Sequence, residues 1–415
     1  MNGRAGDGDG AGAMTRRTNL TAGLHPAVPA AAAVPPPGAW FPAGELPSPR
    51  RWFGPSEGAV PLADGGALVA GGALAGDVPT AEALRYDPVA ATWTATGALG
   101  TARHSHSTTV LADGTVLVAG GIGTGGPPAA GRLASAERYD PATGEWAVTA
   151  GGMATARSLH AATLLPDGRV LVTGGEGDRA PRAPGRSLFS AELFDPATGE
   201  WSPAAPMADS RLGHPQVALQ DGRVLAAGGR RSTGSDRGVG QGFCELYDPA
   251  ADTWTRTGSL AAARAGHQAT LLADGTVLVT GGDGPGIRFE RGFVPFSQWR
   301  TERYDPATGA WAPGENMPDG RTCHRAVALP SGRVLVLGGA DSATLTTGYA
   351  TAALYDPLTR SWAATGGMST HRYLCTATRL PDGSVLAVGG TVRSGRALPV
   401  PGADELTAAT EVFWI

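Results

Sequence analysis

Arginine and histidine recur together at a fixed spacing: Arg103 with His106, Arg157 with His160, Arg211 with His214, Arg264 with His267, and Arg321 with His324. Imidazole is the commonest metal ligand and guanidinium the usual carboxylate clamp, so five such pairs around one opening would have the chemistry to gather a metal ion or an anionic ligand. A set that repeats unit after unit also answers a structural need that repeats equally often. Glu82, Glu137, Glu192, Glu245, Glu302 and Glu411 recur in step with the arginines, and buried Arg–Glu pairs with His satisfying backbone groups are the first expectation. Ligand contact by His106, His160, His214, His267 and His324 is the second, and no metal site is expected. The seventh unit has Arg372 with Cys375, the first has Arg50 or Arg51 with Glu57 at the His position, and the sixth has Ala353 where the Glu should stand.

Chemistry is better sought where the repeat breaks. The residue after each Gly-Gly pair varies along the chain: Ala73, Ile122, Glu176, Arg230, Asp283, Ala340 and Thr391. Glu176, Arg230 and Asp283 fall in consecutive units, where two carboxylates flanking a guanidinium would bind a zwitterionic or polyhydroxy ligand, or supply an acid and a base. In the same unit as Asp283, the segment DGPGIRFERGFVPFSQWRT gathers Arg288, Phe289, Arg291, Phe293, Phe296 and Trp299 in a chain that is only 6% aromatic. That loop reads equally as a lid over an apolar ligand, a partner-binding anchor or a plug on its own scaffold.

These residues need a scaffold, and the repeat supplies it. A Gly-Gly pair closes an apolar run at Gly71, Gly120, Gly174, Gly228, Gly281, Gly338 and Gly389. Asp-Gly turns precede most of these runs, as in DGTVLVAGG, and mark tight hairpins because Gly accepts the positive φ they require. A third strand ending in Tyr or Phe follows, then Asp-Pro, a short turn and a Trp, as in AERYDPATGEW. Four antiparallel strands per unit make a propeller blade, and the pattern predicts an all-β, seven-bladed β-propeller over residues 39–415. The last unit ends after its third strand, while Trp40 aligns with Trp93, so an N-terminal fourth strand should complete the last blade and close the ring. Trp40, Trp93, Trp146, Trp201, Trp254, Trp311 and Trp362 then give one Trp per blade, packed between sheets. Short connections leave one end of the blades and long, dissimilar ones the other, which is where binding should concentrate.

The double glycine, the later Tyr and the Trp about seven residues beyond it resemble the kelch repeat, over nearly everything after residue 39. The resemblance implies a kelch-type propeller with ligands or partner peptides at the long-loop mouth of the channel, and it covers enzymes and binding modules alike. Galactose oxidase, a seven-bladed kelch enzyme, uses a Cys-crosslinked Tyr, a second Tyr and two His for copper. Tyr373 and Cys375 are close along the seventh unit, yet no His follows the Tyr, so copper oxidase chemistry ranks low and no cofactor is predicted.

Charged residues make up 17% of the chain and the net charge is −4, which lacks the basic footprint of a nucleic-acid binder. All 33 cationic residues are arginine, a composition pointing to a GC-rich, bacterial genome. Cys244, Cys323 and Cys375 lie in separate repeats, so no disulfide framework is expected and a cytoplasmic location fits. Residues 1–38, rich in Gly, Ala and Pro, read as a disordered leader, and no apolar stretch is long enough for a membrane span. The expected function is binding of a small organic molecule at the long-loop face, with non-redox catalysis of the isomerase, cyclase or lyase type left open. The alternative is a non-catalytic protein-interaction module. Tyr373 joins Arg230 and the loop residues Arg288, Phe289, Phe293 and Trp299 as candidate ligand contacts.

Overall fold

The apolar run before each Gly-Gly pair forms the second strand of a four-stranded antiparallel sheet, and its residues are buried on both sides. Val116–Ala119, Val170–Thr173, Val277–Thr280 and Val334–Leu337 show four buried residues in a row. A strand covered on both faces needs no polar alternation, which is why these segments read as continuous Val and Leu runs. In blade 2 the strands run Ser107–Val110, Val116–Ala119, Ala136–Asp140 and Glu145–Val148 from the axis outward. The same order recurs around the ring as seven four-stranded sheets.

The computed structural model describes residues 38–54, 56, 58–124, 131–177, 185–232, 239–289, 292–341, 347–395 and 404–415, the side chains of 285–295 excepted. The leader, save Gly38, lies outside them. Among the described residues no helix is long and apolar enough to cross a membrane, and the three cysteines are unpaired.

The ring closes as the sequence predicts. Trp40–Glu45 pairs with Ala409–Phe413, and that strand lies against Val385–Val388 and Thr376–Arg379 to complete blade 7. In every blade the outer Trp faces the aromatic residue of the third strand, from Trp40 opposite Phe413 to Trp362 opposite Tyr355. Ring centroids lie 5.1–5.2 Å apart in tilted geometry, the arrangement favoured by aromatic quadrupoles. Tyr139 and Trp146 pack with Leu68 and Val116, a cluster that joins blade 1 to blade 2.

The repeated Arg and Glu residues pair inside the blades. Arg157 is fully buried and donates to Glu192 at 2.6 Å and to the carbonyl of Gly174 at 2.9 Å, while Glu192 accepts the N–H groups of Ala154 and Thr155. Equivalent pairs join Arg103 to Glu137, Arg211 to Glu245, Arg264 to Glu302 and Arg372 to Glu411. Each pair ties the end of the second strand to the third strand and to the incoming loop. Blade 6, lacking the carboxylate at Ala353, has also lost a donor: Pro318 stands where blades 2, 3, 4, 5 and 7 present an N–H. There Arg321 turns to Asp319 at 3.4 Å and lies over the Tyr349 ring.

The histidines recur for a packing reason. A Cβ at Gly120, whose φ is +65°, would sit 2.6 Å from the Arg157 carbonyl and 2.8 Å from Cε1 of His160. The double glycine of one blade is therefore the seat for the Arg-x-x-His of the next. His160 is bonded to the Ser107 hydroxyl, His214 to Thr173 and His324 to Thr280, each across a blade boundary at 2.9–3.0 Å.

Burial, reinforced by the neighbouring arginine, pushes His160 and His267 down to about 3 and His106, His214 and His324 well below the ordinary value. The folded state thus holds these rings neutral, whereas the unfolded chain takes up protons near pH 6.5. Stability is full above that pH and falls as the pH drops from about 6.5 toward 3, by up to about 1.4 kcal/mol per unit for each ring. Melting temperatures measured from pH 7 to pH 5 should decline less steeply for His160→Gln than for the wild type. Equal slopes would refute neutral burial of His160.

Candidate functional site

A cavity of ≈ 560 Å³ opens where the long loops meet at the end of the channel. Two rings of residues, one from each kind of loop, build it. In all seven blades the residue after Gly-Gly bridges the residue after the recurring Arg: Arg51 with Ala73, His104 with Ile122, Ser158 with Glu176, Leu212 with Arg230, Ala265 with Asp283, Thr322 with Ala340, and Tyr373 with Thr391. The next residue inward is Trp52, Ser105, Leu159, Gly213, Gly266, Cys323 or Leu374, and all seven line the cavity. Backbone bonds pass from one to the next, as from Leu159 N–H to Ser105 O and from Gly213 N–H to Leu159 O. Ser105, Leu159, Cys323 and Leu374 hold φ values of +51° to +57°, unusual for residues with a Cβ. This conformation turns their side chains into the cavity in place of the backbone.

Its lower end is stopped by a segment that departs from the expected repeat. Trp52, not Glu57, takes the seat of the histidine in blade 1: its ring carbon Cζ3 would lie 2.8 Å from a Cβ at Gly389. Glu57 lies outside the described residues. Beyond Trp52 the chain enters the channel. Ser56 accepts from Thr108 N–H with its carbonyl and from Ala162 N–H with its hydroxyl, Gly54 accepts from Arg325 at 3.2 Å, and Ala59 N–H donates to Thr376. Those four partners belong to the innermost strands of blades 2, 3, 6 and 7, which a single segment reaches only at the axis. No repeat signal marks this departure, although the two-residue first strand of blade 1, Val60–Pro61, is its consequence.

Glu176, Arg230 and Asp283 all line the cavity, but their pairing differs from a guanidinium flanked by two carboxylates. Arg230 forms an ion pair with Asp283, while Glu176 pairs at 2.5 Å with Arg132 from the blade 2 loop and accepts the Gly185 N–H at 2.7 Å. Asp77, a third carboxylate of the lining, is held by Arg51 at 2.5 Å. Arg51 also lies over the Phe53 ring, which packs 5.5 Å from His104. Sequence reading named Arg51 but did not single out Asp77, Phe53 or His104, none of which recurs with the repeat.

The other candidate residues fall into three groups. His267 and His324 border the cavity, whereas His106, His160 and His214 are buried between blades outside its lining. Tyr373 is 4% exposed and donates to the Ser394 hydroxyl at 2.7 Å. The fifth loop is a hairpin of Asp283–Phe289 and Gly292–Ser297; Phe296 and Trp299 at its base are exposed, and the side chains of Arg288, Phe289 and Phe293 lie outside the described residues. A second hollow, ≈ 440 Å³, sits at the short-turn end beside Asp167, Asp221 and Arg223. Its Arg223 is paired with Asp221 two residues away at 2.6 Å.

Comparison with known proteins agrees with this geometry. A Kelch motif model matches residues 157–208. Kelch-like protein terF of Aspergillus terreus is 30% identical over 190 residues, 42% of this chain and 40% of that protein. Human Kelch-like protein 34 is 34% identical over 180 residues, 43% of this chain and 26% of that protein. The chain therefore spans less than half the length of either relative. Among solved structures, a fungal alcohol oxidase of the AA5 family in complex with copper superposes with a TM-score of 0.67 at 18% identity, covering 91% of this chain and 76% of that one. YjhT superposes at 0.58 with 16% identity, covering 77% and 98%. At these identities the likeness is one of fold.

The copper in the first of these invites a test of the residues in this chain. Tyr373 is committed to Ser394, Cys375 is fully buried at a histidine seat, and among the described residues no group of three His, Cys, Asp or Glu could hold a metal ion. The described side chains do not fit a copper centre.

Proposed function

Because the chain is a kelch-repeat β-propeller, we propose that it works through its long-loop face, binding a small organic molecule in the cavity at the mouth of the channel. The observation that carries the reading is the cavity itself: ≈ 560 Å³, stopped below by Gly54, Ser56 and Ala59 and walled by Trp52, Phe53, Leu159, Leu212 and Leu374. That volume and an apolar wall with a few placed polar groups are the usual character of a small-molecule site. Glu176 and Asp283 each have an arginine partner, so they suit orienting a ligand better than serving as a free acid and base. Binding therefore comes before isomerase, cyclase or lyase chemistry in this proposal.

Gly213 offers a direct test. A Cβ there meets nothing within 4 Å, and its φ of +58° matches those of Leu159 and Leu374 in the same ring. Gly213→Leu should fill the cavity without disturbing the fold beyond about 1 kcal/mol. In a thermal-shift screen of small organic molecules, compounds that raise the melting temperature of the wild type by about 2 °C or more should lose that effect in the variant. Compounds that keep it in Gly213→Leu and lose it in Trp299→Ser would move the functional surface to the fifth hairpin. Exposed Phe296 and Trp299 suit that second reading, a protein partner docked at the rim.

A further inference from the structure

Within the inward ring, blades 4 and 5 differ from the rest. Leu159, Cys323 and Leu374 send side chains into the cavity and Trp52 buries its ring in the histidine seat at the cavity's edge, while Gly213 and Gly266 leave it open. The open sector lies over the Arg230–Asp283 pair, because Leu212 and Ala265, the residues before the two glycines, bridge Arg230 and Asp283. A Cβ at Gly266 would lie 3.2 Å from Asp283 Oδ1. Arg230 is 28% exposed and Asp283 13%, so the pair is reachable from the cavity yet largely withdrawn from solvent.

Each carboxylate of the lining has an arginine partner, Asp77 with Arg51, Glu176 with Arg132, and Asp283 with Arg230, while Arg325 donates to the carbonyls of Cys375 and Gly54. An anionic ligand group would gain from Arg230 but meet Asp283 beside it, and a cationic group would meet the reverse. A neutral group with a donor and an acceptor side by side suffers neither repulsion. A guanidinium has five N–H donors and a carboxylate about four acceptor sites, more than the bond between Arg230 and Asp283 uses. Resting on the small-molecule reading above, we infer that the sector over Gly213 and Gly266 recognises a neutral, planar donor–acceptor edge, such as a primary amide, a lactam or the equivalent edge of a heterocycle. The apolar body of the same ligand lies against Phe53, Leu159 and Leu374.

Three probes of one shape separate the possibilities: 2-naphthamide, 2-naphthoate and 2-naphthylmethylammonium, titrated calorimetrically into the full chain at pH 7. The amide should bind at least about tenfold more tightly than either ion. Arg230→Met leaves Asp283 without its partner and should turn the preference to the ammonium; Asp283→Asn should turn it to the naphthoate. Gly213→Leu should weaken the amide at least about tenfold while circular dichroism and melting temperature stay near wild type. Wild-type protein that binds an ion as tightly as the amide, or a preference unmoved by both charge variants, overturns the inference and leaves the cavity reading standing if Gly213→Leu still blocks the probes. Absence of binding by all three overturns both.

Discussion

A chain beginning at residue 47 should lose more than about 5 kcal/mol of stability and associate through its newly exposed edge. Residues 38–46 supply the outer strand of blade 7, with Trp40 against Phe413 and with Ala43 and Leu46 buried to 2–3% exposure. Burying Leu46 contributes about 1.5–3 kcal/mol and Ala43 about 0.8 kcal/mol, and each ladder hydrogen bond about 1 kcal/mol. Further bonds hold the segment at its start: Gly38 N–H donates to Trp414 O at 2.7 Å, and Thr365 donates to Gly38 O at 2.9 Å. Without the strand, Ala409–Phe413 presents unpaired backbone groups, the usual template for edge-to-edge association. Urea unfolding and size-exclusion chromatography read the effect, and a peptide of residues 38–46 added in trans should restore the monomer. A truncated chain that stays monomeric and unfolds at the wild-type urea concentration would show that closure is not what holds the ring.

Glu192→Ala should cost about 3–5 kcal/mol, whereas Asp319→Ala should cost no more than about 1 kcal/mol. Both carboxylates serve an arginine at the same place in their blades. Glu192 is 5% exposed and accepts from the Arg157 guanidinium and from two backbone N–H groups, so its loss strands a buried cation and two donors. Asp319 is 51% exposed at 3.4 Å from Arg321, which keeps its bonds to the Gly338 and Thr351 carbonyls when Asp319 is gone. Burial lowers the pKa of Arg157 despite the opposing pull of Glu192, the direction expected of a cation whose desolvation is only partly offset by its partner. Paired denaturation curves for the two variants decide the matter; equal losses would mean that the carboxylate's depth is irrelevant and would leave the recurrence of the Glu without a physical reason.

Much of the scaffold was legible before any coordinates because its rules are local and repeat. Asp-Gly turns, four-residue Val and Leu runs and the Tyr-to-Trp spacing each depend on residues within a few positions of one another. The fourth strand from the N-terminus was legible for the same reason, since Trp40 sits in the same local context as Trp93. Even the Arg–Glu pairs could be anticipated, because both members recur in step and fall within one blade.

The site is another matter. Glu176 was expected beside Arg230, its neighbour in the sequence of blades, and instead pairs with Arg132 from the blade before. Glu57 was read at the histidine position of blade 1, and instead Trp52 takes that seat while Gly54 and Ser56 bond to strands of blades 2, 3 and 6. Gly213 and Gly266 looked like two among the chain's 63 glycines until the ring placed them over Asp283 and Arg230. By itself the sequence determined the seven blades, their closure and the face on which the loops gather, because strand pairing within a blade is set by short-range turns and by short, continuous apolar runs between them. Only the tertiary structure decided which loop side chains meet at the axis. There, segments far apart in the chain converge within a few ångströms, and the choice of partner depends on distances between blades that no spacing along the chain encodes.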